Sequence, residues 1–107
     1  MIVTERNPMH RLTVLYPPPA DEAHFRDYYV STHLPLAAKL PGLLQSQYSF
    51  DVASLGGQPR YFAVFHADFE SAEAMVAALG SEAGKAVAAD VPNYATGGVE
   101  MIHYPLS

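Results

Sequence analysis

The chain has no cysteine, and only 6 of its 107 residues are lysine or arginine. Without cysteine there is no disulfide framework, thiol nucleophile or thiolate metal ligand, so any chemistry falls to His, Tyr, Asp, Glu, Ser or a bound cofactor. The basic residues are scattered among 11 Asp+Glu for a formal net charge of −5, which leaves out the positive footprint of a nucleic-acid or anionic-membrane binder. No run of about 18 apolar residues is present. The opening MIVTERNPMHR carries acidic and polar residues where a signal peptide needs a basic and then an apolar region. The expectation is a cytoplasmic protein without nucleic-acid or membrane partners. Its length fits one domain over residues 1–107, with an N-terminal tail over residues 1–9.

Catalytic motifs are equally sparse. There is no G-x-G-x-x-G dinucleotide fingerprint and no G-x-S-x-G elbow. The five histidines, at 10, 24, 33, 66 and 103, form no H-x-H or H-x-x-x-H pair. No metal site is expected on that spacing, though ligands distant in sequence can still meet in space. The Gly56-Gly57 and Gly97-Gly98 pairs read as turns.

What is present is strong periodicity. HRLTVLY reads as a strand stopped by PPPAD. Asp21 is placed to cap a helix whose apolar face runs through Phe25, Tyr29, His33, Leu36 and Leu40. LLQSQYSFDV alternates, with Leu44, Ser46, Tyr48, Phe50 and Val52 on one side and polar residues on the other. RYFAVFHAD is apolar on both sides, as a central strand would be. FESAEAMVAALGS and SEAGKAVAAD read as two helical segments, VPNYATGG as a loop and VEMIHY as a last strand. The order βαββαβ is that of a ferredoxin-like α+β fold, an antiparallel sheet with both helices on one face. Strands with apolar groups on both sides predict a second face that needs cover, and a homodimer pairing two sheets is the simplest cover.

The stretch HFRDYYVSTHLPLAAKLPGL departs from an ordinary amphipathic helix. Pro35 lacks an N–H and crowds the carbonyl of Ser31, so the helix is expected to kink or restart near His33. One reading makes His33 a neutral core histidine bonded to Ser31 or another local carbonyl. The other makes it a general acid or base lining a pocket, since an imidazole exchanges protons near neutral pH.

This run resembles the signature of the EthD family, named for a protein associated with ethyl tert-butyl ether degradation. Phe25, Tyr28, Tyr29, His33, Pro35, Leu36, Pro41, Gly42 and Leu43 carry the match. SEAGKAVAADVPNYATGG is similar to the family's C-terminal segment through Asp90, Pro92, Asn93 and Tyr94, and LTVLYPPP to its first strand. The resemblance implies a dimeric α+β barrel in which two ferredoxin-like subunits face each other with their sheets. Relatives of this architecture include cofactor-free monooxygenases of aromatic polyketides, lactone isomerases, haem-dependent enzymes, and dehydratases or decarboxylases. An oxidoreductase label often attached to the family finds no dinucleotide motif here.

The candidate pocket lies between helices and sheet, with His33 and Tyr29 as catalytic candidates: His33 to transfer a proton, Tyr29 to orient a substrate oxygen. Tyr28, Phe25, Tyr16, Tyr48, Tyr61 and Phe65 are candidate substrate-binding residues, although aromatic strand residues are more often plain core. His66 and His103 read as partly exposed side chains near strand ends. Asp90 is placed to accept a hydrogen bond from an active-site histidine and fix its tautomer, but its position before VPNY favours an Asx-type turn or cap. The expected function is cofactor-free acid/base or oxidoreductase-type chemistry on a small hydrophobic or aromatic ligand. The alternatives are a non-catalytic accessory protein for a partner oxygenase, and a relative binding haem through one helix histidine.

Overall fold

Four antiparallel strands carry the fold, and their alternation decides which side chains meet the helices. The computed structural model describes residues 9–107; of the tail expected over residues 1–9, all but Met9 lies outside the described residues. Strand β1 (His10–Tyr16) pairs with β3 (Ala63–Phe69) on one side and β4 (Glu100–Pro105) on the other, and β2 (Gln45–Phe50) lies beyond β3. The order β2-β3-β1-β4 is the ferredoxin-like arrangement, with β1 and β3 central. Val14 sits opposite Phe65 and Met101, and Leu12 opposite Ala67 and His103. These residues share the face toward helices α1 (Glu22–Tyr28), α2 (Leu34–Ala37), α3 (Ala72–Leu79) and α4 (Glu82–Asp90). None of these helices is long and apolar enough to cross a membrane.

The opposite face differs from expectation. Leu15, Val64 and Ile102 are there, but so are Arg11, Thr13, His66, Asp68, Tyr104 and the polar side of β2. Thr13 Oγ1 and Tyr104 Oη are 2.8 Å apart. Arg11 grips Asp68 through Nε and Nη2 at 2.7 and 2.9 Å, and Gln45 Nε2 donates to the same carboxylate at 2.6 Å. The face away from the helices is thus a polar network with apolar islands, because the same alternation that sends Leu12 and Val14 inward sends Arg11 and Thr13 outward.

The helical segment after β1 is interrupted where Pro35 predicts. Asp21 caps α1 by accepting from the His24 amide at 3.0 Å. Residues Tyr29–His33 then form a π-helical turn, in which the Leu34 amide reaches back to the Tyr29 carbonyl, and α2 starts at Leu34 with proline in its first turn. The wider turn removes the need for a bond from Pro35 to Ser31 and keeps a four-residue spacing on one side. Ala37, rather than Leu36, therefore continues the buried line of Phe25, Tyr29 and His33.

The second strand also ends earlier than its alternation suggests. Asp51 takes a left-handed backbone (φ 57°), which stops β2 at Phe50, and β3 starts at Ala63 rather than at Arg60. Between them runs an exposed loop. At the centre of the helix-facing core, Phe25 is fully buried, with the rings of Tyr16, Tyr29, Phe62 and Tyr94 at centroid distances of 5.0–5.4 Å. Edge-on and offset packing of this kind adds about 0.5–1.5 kcal/mol per pair beyond area burial.

Candidate functional site: a histidine and aspartate beside an apolar cavity

The π turn delivers His33 to the interior, where it is 3% exposed. Its Nδ1 lies 2.9 Å from Asp90 Oδ2, across 57 residues of sequence. The other carboxylate oxygen accepts from Tyr28 Oη at 2.6 Å and from Asn93 Nδ2 at 3.0 Å, and Asn93 Nδ2 is also 3.2 Å from Tyr28 Oη. Asp90 is the last residue of α4. That helix sits close on α3 because a Cβ on Gly84 would collide with the backbone carbonyls of Ala78 and Leu79. From the surface, His24 Nε2 meets the Asn93 carbonyl at 3.0 Å and ties the turn after α4 back to α1.

Asp90 thus belongs to His33 and not to a turn. Its side chain makes no cap hydrogen bond to the helical turn that follows, and the expected local partner of His33, Ser31, bonds Thr32 instead. An ionised carboxylate gains more from three convergent donors than from one amide, and the chain path supplies them.

Burial pushes the His33 imidazole below its ordinary value, more strongly than the Asp90 carboxylate pulls it up. Burial likewise pushes Asp90 up, but the donors Tyr28, Asn93 and His33 together hold it below the usual carboxylate range. At neutral pH this favours a neutral imidazole beside an anionic aspartate. Nδ1–H then donates to Asp90, leaving the lone pair on Nε2, which no protein group among the described residues engages.

His33 lines a cavity of about 170 Å³ between the helices and the sheet. Tyr16, Val14 and Phe65 form its sheet wall, and Leu40 and Val87 stand among its helical lining. Ala88 on α4 and Met101 on β4 are exposed members of the wall, so the mouth lies between α4 and β4.

The other expected site residues separate. Tyr16 and Phe65 line the cavity; Tyr29 does not. Tyr29 stacks on His33 at 5.3 Å, and its hydroxyl is buried without a hydrogen-bond partner. Phe25 is interior packing, and Tyr28 is spent on Asp90 rather than facing the cavity. Tyr48 is 44% exposed on the edge strand, where neighbours cover only one side of it. Tyr61, outside the strands, lines a separate surface depression with Pro59 and Phe62. His66 is half-buried on the polar face of the sheet. The structure also joins two histidines that sequence spacing leaves apart: His10 Nε2 lies 2.8 Å from His103 Nδ1. No group of three or more potential metal ligands occurs among the described residues. The Tyr94 ring, which no spacing argument singles out, lies 4.6 Å from that of His33.

Comparison with known proteins gives the family and the fold. The EthD domain model matches residues 17–98. The chain is 36% identical over 94 residues to an 11.0 kDa protein of the thcB-thcC intergenic region of Rhodococcus erythropolis, covering 88% of this chain and 91% of that one. An EthD family protein of Bacillus halodurans has a similar structure, with a TM-score of 0.85 at 26% identity over 92% of this chain and 99% of that one. Two more distant structures share the fold. A dimeric ferredoxin-like protein from Thermobifida fusca has a TM-score of 0.68 at 13% identity, over 99% and 97% of the two chains. The hydroxynitrile lyase from Passiflora edulis has a TM-score of 0.75 at 12% identity, over 94% and 95%.

Proposed function

We propose that this chain, which belongs to the EthD family, binds a small hydrophobic molecule in the cavity and moves a proton on it with His33 as the base. The observation that carries this reading is the 2.9 Å contact of His33 Nδ1 with Asp90 on a residue that also lines an apolar cavity. Asp90 orients the ring, keeps the proton on Nδ1 and offsets the charge that forms when Nε2 is protonated away from water. An imidazole held this way works close to neutral pH without a metal or cofactor. That a protein of the same fold carries the name hydroxynitrile lyase supports an enzyme over a passive carrier.

The working unit in this reading is a homodimer in which the sheet face opposite the helices meets its copy. The naming of the Thermobifida fusca protein as dimeric supports it, as does the half-exposed Ile102 on that face. Native mass spectrometry would give twice the chain mass; a monomer at micromolar concentration would remove this element.

The central test is His33→Gln. Small aromatic and keto compounds are screened for binding and turnover with the wild-type protein, and the variant is then compared on the compound found. Retained binding with lost turnover supports the base assignment. Unchanged turnover would overturn it.

A further inference from the structure

The cavity wall carries only two polar side chains, His33 and Tyr16; the rest of its lining is apolar or glycine, with no lysine, arginine, aspartate or glutamate. A carboxylate or phosphate would enter without a counter-charge, which excludes ionic ligands on desolvation grounds. The volume of about 170 Å³ is that of a one-ring molecule, since an apolar cavity of about 150 Å³ holds benzene.

Tyr16 belongs to a cluster of buried phenols. Its hydroxyl is 2.9 Å from that of Tyr94, whose ring centroid is 5.7 Å from that of Tyr16 and 4.6 Å from that of His33. Tyr29 packs edge-on to Tyr16 at 5.5 Å, and its Oη is the buried side-chain polar atom left without a partner among the described residues. Tyr16, Tyr29 and Tyr94 bring three O–H hydrogens, and the Tyr16–Tyr94 bond uses one of them. Of the three only Tyr16 lines the cavity, and when Tyr94 donates to Tyr16 in that pair the Tyr16 O–H is left for a cavity ligand. A ligand oxygen that accepts, such as a carbonyl or the enolate made from it, is a partner for that O–H.

We propose that Tyr16, backed by Tyr94 and Tyr29, binds the oxygen of a neutral, one-ring-sized carbonyl or enol compound whose neighbouring carbon faces His33. This rests on the assignment of His33 as base and names the substrate class it serves. His33 Nε2 takes the proton from the carbon next to the carbonyl. The C–H pair becomes the C=C bond, the C=O π pair moves onto oxygen, and the oxygen accepts from Tyr16. Where a C=C bond adjoins that carbon, the enolate pair extends over it, and return of the proton from His33 to the far end of that bond completes an isomerisation, with no oxidant or reductant required. Burial raises the proton affinity of Tyr16, Tyr29 and Tyr94, which keeps all three as donors at neutral pH.

Phenol and toluene test this, being nearly equal in shape while only phenol presents an enol-like oxygen. In wild-type protein, titration followed by amide NMR should show phenol binding at least as tightly as toluene, although toluene leaves water more readily. In Tyr16→Phe phenol should lose about tenfold in affinity, the worth of one hydrogen bond, while toluene is unchanged. If both bind and Tyr16→Phe leaves phenol unaffected, the oxygen assignment is overturned and the cavity reading stands. If neither binds the wild-type protein, the cavity reading falls and takes the assignment with it. Should the variant not fold, nuclear Overhauser contacts between bound phenol and the Tyr16 ring in the wild-type protein decide: their presence supports the proposal and their absence overturns it.

Discussion

Two buried aspartates, one on each side of the sheet, meet three donors apiece and come to opposite ends. Asp68 faces away from the helices and takes Nε and Nη2 of Arg11 and Nε2 of Gln45. Asp90 lies in the helical layer and takes His33 Nδ1, Tyr28 Oη and Asn93 Nδ2. The Arg11 hydrogen bonds hold the Asp68 carboxyl below its ordinary range, and the donors around Asp90 do the same against the effect of burial. The difference lies in the partner. A guanidinium is always charged, so Asp68–Arg11 only holds strands together. An imidazole titrates and has a second nitrogen, and here it borders a cavity. Saturated hydrogen bonding does not mark a functional carboxylate; the chemistry of the group it orients does.

The largest expected effect separates the two nodes by stability. Asp68→Ala strands a guanidinium and an amide on the sheet and should cost about 3 kcal/mol in urea unfolding. Asp90→Ala, which leaves an imidazole able to stay neutral, should cost about 1–2 kcal/mol. Equal losses would erase the distinction.

Next comes protonation. Asp90→Asn removes the anion that favours the charged imidazolium of His33, so the His33 titration read by ¹⁵N NMR should move to lower pH. Asp68→Asn should leave it in place.

A smaller effect is the pH dependence of stability. His33 holds its proton less well in the native than in the unfolded chain, whose value is near 6.5. Below 6.5 and above the native value the unfolded chain binds more protons, so stability rises with pH across that window and is fully present above it. Unfolding of His33→Gln should be flatter there. The two aspartates act lower: both are depressed from 3.8, and their contribution is lost only as pH falls through their native values.

The smallest effect is expected from Pro35→Ala, which restores an amide and allows an ordinary α turn. Stability should change by no more than about 1 kcal/mol. The His33 ring resonances should shift while those of Arg11 stay put; unmoved His33 signals would detach the π turn from the site.

Much of this architecture is legible residue by residue. β1 coincides with the HRLTVLY run because alternation and a proline stop are local signals. The restart at His33 is legible because a missing N–H acts within one turn. The ends of β2 and β3 are not, since a single left-handed residue, Asp51, sets them against a pattern that continues. Tyr29 is misleading as a cavity residue for a related reason: helical periodicity says which side faces inward, not whether it meets a void or other rings.

By itself the chain determined the order of elements, the alternation along its strands and the helix that presents His33, because short-range sterics and hydrophobic period act over neighbouring residues. Only the tertiary structure decided that Asp90, 57 residues away, holds that histidine. It likewise chose Tyr16 rather than Tyr29 for the cavity wall and paired Asp68 with Arg11 on the other side of the sheet. Those partnerships depend on how α4 settles on α3 and how strands align in register, and packing across the whole domain selects both.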